Sequence, residues 1–217
     1  MSYELIQAFN LSILIAAIIG LVRAGKIHRD YYPFICITVA GFLSELISMI
    51  SIHWYHNNAV VSNIFSALEF VLWFWQFKKW NGLFKNNWIS ATLLGSLLAL
   101  WVIENIVLKK IHTFNSIFSI AYSFCLVFMA IGQVNFLIVE ERKNLLGNAK
   151  FLICTGLMIF NTYRILVESF YVLKIELSTS FLTNIYFIVV FVNLFVNLLY
   201  ALATLWIPTR QKFTLPS

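Results

Sequence analysis

Leu157-Met-Ile-Phe-Asn161-Thr-Tyr-Arg164-Ile-Leu-Val-Glu168-Ser-Phe-Tyr171 lies within a long apolar run over residues 150–173. Its polar residues Asn161, Arg164, Glu168 and Tyr171 follow steps of three, four and three, so on a helix they form one stripe. An Arg inside a membrane span costs roughly 3 kcal/mol on insertion scales. Arg164 must therefore turn toward protein and find a partner there. The rest of the sequence is read for that partner and for what the pair could do.

The chain has 217 residues, of which 61% are hydrophobic and 11% charged, and its mean hydropathy is +0.85. Soluble domains carry about 25% charged residues. This chain has too little polar surface to solvate a globule, which predicts an integral membrane protein. Its apolar runs approach the ~20 residues a spanning helix needs and lack the alternation of a membrane barrel. Seven spans are expected, at about 4–22, 33–54, 60–77, 87–108, 114–138, 150–173 and 181–206. Together they form one all-α domain over residues 1–217, a seven-transmembrane-helix bundle. Pro33 opens the second span, where its missing N–H is harmless, and Pro208 closes the seventh. Short connections make neighbouring helices antiparallel. Met1-Ser-Tyr-Glu4 lacks a basic n-region, so no cleavable signal peptide is expected and the first span serves as its own signal.

Lys and Arg set the orientation. Arg23, Lys26, Arg29, Lys78, Lys79, Lys85, Arg142, Lys143, Lys150, Arg210 and Lys212 fall on one side, and Lys109, Lys110 and Lys174 on the other. The richer side belongs in the cytoplasm. The N-terminus is then outside and the C-terminus inside, with the chain multi-pass in the inner (plasma) membrane. The net charge of +6 follows from this loop pattern and does not point to nucleic acid. Basic inner loops also suit anionic lipid headgroups or an acidic partner. Trp54, Tyr55, Trp73, Trp75, Trp80, Trp88 and Trp206 lie near span ends, as an interfacial aromatic belt would. Trp101 sits deeper and reads as a packing residue.

Five ionisable groups fall inside spans: Glu45, Glu69, Glu104, Arg164 and Glu168. By helix rise, Glu45, Glu69 and Arg164 lie roughly 12–14 Å from the outer surface, and Glu104 and Glu168 are shallower. Polar stripes accompany them: Gly41 and Ser48; Ser62 and Ser66; Ser116, Ser119, Tyr122 and Ser123; Tyr186, Asn193, Asn197, Tyr200 and Thr204. Such residues let helices approach and bond, so these faces are placed on the bundle interior. Arg164 is expected to pair with Glu45 or Glu69, with Glu168 as the local alternative one turn away. Four carboxylates facing one guanidinium cannot all be ionised in a dry site. Either one or more is protonated, or water or a cation enters from outside. The expected ligand or ion cavity thus comprises Glu45, Glu69, Glu104, Arg164 and Glu168, with Asn161, Asn193, Asn197 and Tyr200. The competing reading is a polar lock that only fixes helix order.

Several chemistries lack their residues. The seventh span carries no lysine in its apolar part for a retinal Schiff base. Cys36, Cys125 and Cys154 lie in apolar runs without a CxxC and read as small core residues. His53 and His56 offer two metal ligands without an obvious third. No phosphate loop, GxSxG or HExxH occurs, so no cofactor or metal is expected. Enzymatic activity has little support, although a glutamate pair could do acid–base work.

The second span carries Glu45, the third reads Asn63-Ile-Phe-Ser-Ala-Leu-Glu69-Phe, and the last ends Asn197-Leu-Leu-Tyr-Ala-Leu-Ala-Thr-Leu-Trp206. In these features the chain resembles a group of small, uncharacterised seven-span proteins from Bacteroidota. The resemblance covers nearly the whole chain, implies the same topology and carries over no functional residue. The expectation for function is a receptor-like sensory membrane protein. A small apolar or cationic ligand would enter from outside, and a cytoplasmic-side partner would read the change. The alternatives are a small transporter or ion/proton pathway, or a non-catalytic structural or membrane-perturbing accessory protein. The transporter reading draws on loose echoes between Phe34-Ile-Cys-Ile-Thr38 and Phe151-Leu-Ile-Cys-Thr155, and between Asn63-Ile-Phe65 and Asn184-Ile-Tyr186. These would fit two three-helix units around span four.

Overall fold

Apolar runs of this length satisfy their backbone polar groups internally by winding into helices. The computed structural model describes residues 3–80, 87–141, 145–173 and 178–209. The sequence features at Lys85, Arg142, Lys143, Lys174, Arg210, Lys212 and the Tyr186 side chain lie outside the described residues. The helices are α1 (Tyr3–Asn10), α2 (Ile13–Arg23), α3 (Tyr32–Tyr55), α4 (Ala59–Trp80), α5 (Asn87–Val102), α6 (Ser116–Glu141), α7 (Ala149–Val172) and α8 (Thr179–Trp206). A π-helical turn, Ile103–Val107, continues α5. With α1 and α2 taken as one run, seven helices among the described residues are long and apolar enough to cross a membrane. Among the described residues the only β pairing is a single bridge, Ile27 to Thr209. This architecture is consistent with a multi-pass membrane protein.

The expected continuous first span is interrupted. Between α1 and α2 the Ser12 hydroxyl donates to the Phe9 carbonyl at 2.6 Å. The backbone there tightens to three-residue spacing, with Ser12 N–H on Phe9 O and Leu14 N–H on Leu11 O. A serine bonding back to its own helix competes with the regular ladder and bends it.

The helices pack as a ring in chain order: α2 lies between α3 and α8, α3 against α4, α4 against α6, and α6, α7 and α8 follow, while α5 lies against α4 and α6. The ring encloses a core of large rings and aliphatic side chains, including Phe34, Phe70, Trp73, Phe77, Phe118, Tyr122, Leu126, Ile153 and Leu157. Outward faces are also apolar: Ile15, Ile18, Val22, Ile47, Ile50, Phe124, Phe128, Phe191 and Phe195 are exposed. A water-soluble monomer does not show apolar surface on this scale.

Two tryptophans depart from the expected aromatic belt. Trp54 and Trp88 are exposed, but Trp73 is 1% exposed and Trp80 5%. Both belong to the core because α4 turns this face toward the ring interior. Trp101, read as a packing residue, is half-buried and donates its Nε1–H to the Asn63 carbonyl at 2.8 Å.

Each end of the bundle is tied by side chains that answer orphan backbone groups. At the end holding the α2–α3 connection, the Arg23 guanidinium donates to the carbonyls of Thr204, Leu205 and Ile207. These belong to the C-terminal end of α8, where carbonyls lack helical donors and a cation is favoured. His28 N–H donates to Pro208 O. Gln76 accepts from Phe34 N–H at 2.7 Å and donates to Asp30 O at 2.6 Å. At the opposite end, Asn63 Nδ2 donates to the carbonyls of Ile111 and Thr113, and its Oδ1 accepts from Asn115 N–H.

Candidate functional site

The polar stripes of α3, α4, α7 and α8 meet around a cavity of about 450 Å³. It runs from Asn58, Ser62 and Phe114 to Ile37, Trp73 and Tyr200. From Ser62 to Trp73 this is roughly 16 Å along α4 by helix rise. Its wall carries Glu45 from α3, Glu69 from α4, and Arg164 and Glu168 from α7, with Asn193, Asn197 and Tyr200 from α8. Gly41, Ser44 and Ser48 line the α3 side, where small side chains leave room.

Arg164 is paired with Glu69. Its Nη1 lies 3.3 Å from Glu69 Oε2, and its Nε donates to Ser119 Oγ at 3.0 Å. Tyr122 Oη donates to the same Glu69 oxygen at 3.0 Å. The guanidinium carbon stands 5.0 Å from the centre of the Tyr122 ring, within cation–π range. Ser119 and Tyr122 are one turn apart on α6, so that helix presents both groups to α4 and α7 together. Arg164 is 21% exposed at the side chain and Glu69 11%, so the pair is shielded from bulk water but faces the cavity.

Glu45 and Glu168 line the same cavity, and neither takes a hydrogen bond or ion pair from another described residue. Three carboxylates therefore share a wall with a single guanidinium, which is already engaged by Glu69. The charge left on this wall calls for a proton, water or an incoming cation.

The remaining expected site residues divide. Asn193 Nδ2 donates to Asn10 Oδ1 at 3.3 Å, and Asn197 Nδ2 donates to Ser12 Oγ at 2.9 Å. Both therefore fasten the interruption between α1 and α2 to α8. Asn161 is fully buried and donates to Leu157 O at 2.9 Å, one turn back on its own helix, away from the cavity lining. Tyr171, the last member of the α7 stripe, is 62% exposed, because the stripe drifts off the ring interior toward the helix end.

Glu104 is not part of the cavity. It is 3% exposed, and its carboxylate accepts from Phe118 N–H at 2.8 Å and Ile117 N–H at 3.3 Å. These are unsatisfied donors of the first turn of α6, where a carboxylate also meets the favourable end of the helix dipole. The π-helical turn at Ile103–Val107 carries Glu104, a backbone detail that regular periodicity does not anticipate.

The cavity floor is aromatic. Tyr200 meets Phe34 edge-on at 5.4 Å between ring centres and lies 6.1 Å from Trp73. Gly156 makes this possible, since a Cβ there would stand 2.8 Å from the Tyr200 ring. Trp73 Nε1–H is buried without a hydrogen-bond partner among the described residues. Reading Trp73 as part of an interfacial belt concealed this role. Ser119 and Tyr122 were visible as a polar stripe on their span, but their bonds to Arg164 and Glu69 depend on which helices adjoin. Among the described residues no three of His, Cys, Asp or Glu gather as metal ligands would.

No family model, curated protein or solved structure matches this chain. The functional reading therefore rests on the geometry above.

Proposed function

We propose that this chain is a receptor-like integral membrane protein that binds a small ligand in the Glu45–Glu69–Arg164–Glu168 cavity. The observation that carries the reading is a cavity with charged walls and a closed aromatic floor. Beyond Trp73 and Tyr200 lie the packed rings of Phe77, Trp80 and Tyr31. The end beyond them is tied by Arg23, Gln76 and His28. A blind cavity of this kind favours binding over passage. With the Lys- and Arg-rich end in the cytoplasm, the cavity mouth faces outward in the inner (plasma) membrane. A ligand pressing on α3, α7 or α8 would shift the tied end, where basic loops are available to a signalling partner or to anionic lipid.

Thermal stability of the purified protein against a ligand library, with Arg164→Ala in parallel, tests this reading. A selective ligand shift that the variant loses is the expected result. A library without response, with Arg164→Ala merely unstable, would leave the charges as a structural lock and make an accessory role in helix or oligomer contacts the better account.

One observation favours transport as a second reading. The first membrane run is broken beside the cavity, at Leu11–Ser12, and discontinuous helices at substrate depth are a transporter feature. Solute or proton flux in proteoliposomes at the rate of ligand turnover would select this reading over the receptor.

A further inference from the structure

The main cavity has a side branch. A cleft of about 180 Å³ shares Phe160, Arg164, Glu168 and Val189 with it and extends to Val167 and Val192. These residues belong to α7 and α8, so the cleft follows the seam between those helices. Its lining is apolar apart from Tyr163, Arg164 and Glu168. In the membrane reading, a seam between two spanning helices faces acyl chains rather than water.

Charge and shape then specify one occupant. The cavity wall has Glu45 and Glu168 without hydrogen-bond donors from the described residues, while its single guanidinium is held by Glu69 and Ser119. An anionic head would meet excess negative charge, whereas an ammonium head would relieve it. A divalent metal is poorly served, since no three-residue ligand cluster occurs among the described residues. We infer that the ligand is a single-chain amphiphile with a cationic amine head, whose head sits between Glu45 and Glu168 and whose tail lies in the α7–α8 cleft, reached from within the bilayer. This inference rests on the binding-cavity reading above and adds the ligand's chemistry and route.

The test uses the full chain in phosphatidylcholine nanodiscs. The probe is a twelve-carbon alkylammonium carrying a diazirine within the first few carbons of its tail, with labelled peptides mapped by mass spectrometry. Labelling is expected on the α7 and α8 peptides containing Val167 and Val192, competed by unlabelled dodecylammonium. Competition should weaken about tenfold or more in Glu45→Gln/Glu168→Gln, as loss of shielded charge partners does. Val192→Trp, which fills the cleft, should abolish the labelling while leaving the fold intact by thermal unfolding. Equal competition by dodecyl sulfate would overturn the charge assignment. Equal competition by ethylammonium would overturn the tail cleft. Absence of labelling, alongside a library ligand whose stabilisation Arg164→Ala removes, would refute this inference and leave the binding cavity standing.

Discussion

Arg164→Ala should expose the energetic logic of the site. The substitution leaves the Glu69 carboxylate with the Tyr122 hydroxyl, at 3.0 Å, as its remaining hydrogen-bond partner among the described residues. Breaking a buried ion pair costs about 3–5 kcal/mol, because an uncompensated charge stays behind. Here the pair lines a cavity of about 450 Å³ and its side chains are 21% and 11% exposed, so the lower end, about 3 kcal/mol, applies. For a chain of this size that lowers the melting temperature by roughly 6–12 °C. Glu69→Gln leaves the guanidinium with Ser119 and the Tyr122 ring and should cost about 2 kcal/mol. The double variant should lose less than the sum, since neither charge is then orphaned, giving a coupling of about 2 kcal/mol. Reversible unfolding in mixed micelles by SDS titration measures all corners of this cycle. Additivity within about 0.5 kcal/mol would refute the argument that Arg164 and Glu69 compensate each other.

Other residues make separate predictions. Glu104→Gln removes the charge from the α6 N-terminus and should cost about 2 kcal/mol, seen as a lower melting temperature with any cavity ligand's stabilising increment unchanged. Gly156→Ala drives a methyl into the Tyr200 ring, 2.8 Å away. It should cost about 1–3 kcal/mol and alter tryptophan emission through Trp73, while an unchanged melt and spectrum would contradict the close approach. Asn63→Ala removes the amide that binds Ile111, Thr113 and Asn115. Limited proteolysis should then cut faster within residues 108–115, with about 2–3 kcal/mol lost overall.

Within the charged cavity, individual sequence signals had unequal reach. The spacing of Asn161, Arg164 and Glu168 identifies one helix face, but Asn161 turns to its own backbone while Arg164 reaches across to α4. Both Glu45 and Glu69 were credible partners at one depth, and only the ring order, with α4 beside α6 and Tyr122 between, selects Glu69. Glu104 looked like a member of the same cluster because helix rise reports depth and not azimuth. A capped helix end, which depends on a loop and a π turn, accounts for it instead. Trp73 reads as interfacial because its place near a span end does not reveal which face of α4 turns into the core.

The sequence by itself determined that seven apolar spans form, approximately where each begins and ends but not the break in the first, and that a few charged groups must turn inward. Those properties depend on local hydrophobicity, backbone hydrogen bonding and the cost of a charge in an apolar medium, all of which act along a single segment. The tertiary structure alone decided which charge meets which, which carboxylates remain unengaged, and that a cavity opens between α3, α4, α7 and α8 beside the packed core. Those outcomes depend on the rotation and adjacency of whole helices. Apolar faces of similar composition leave rotation and adjacency open until specific fits, such as Tyr200 against the bare Gly156 backbone and Arg23 on the end of α8, lock the neighbours together.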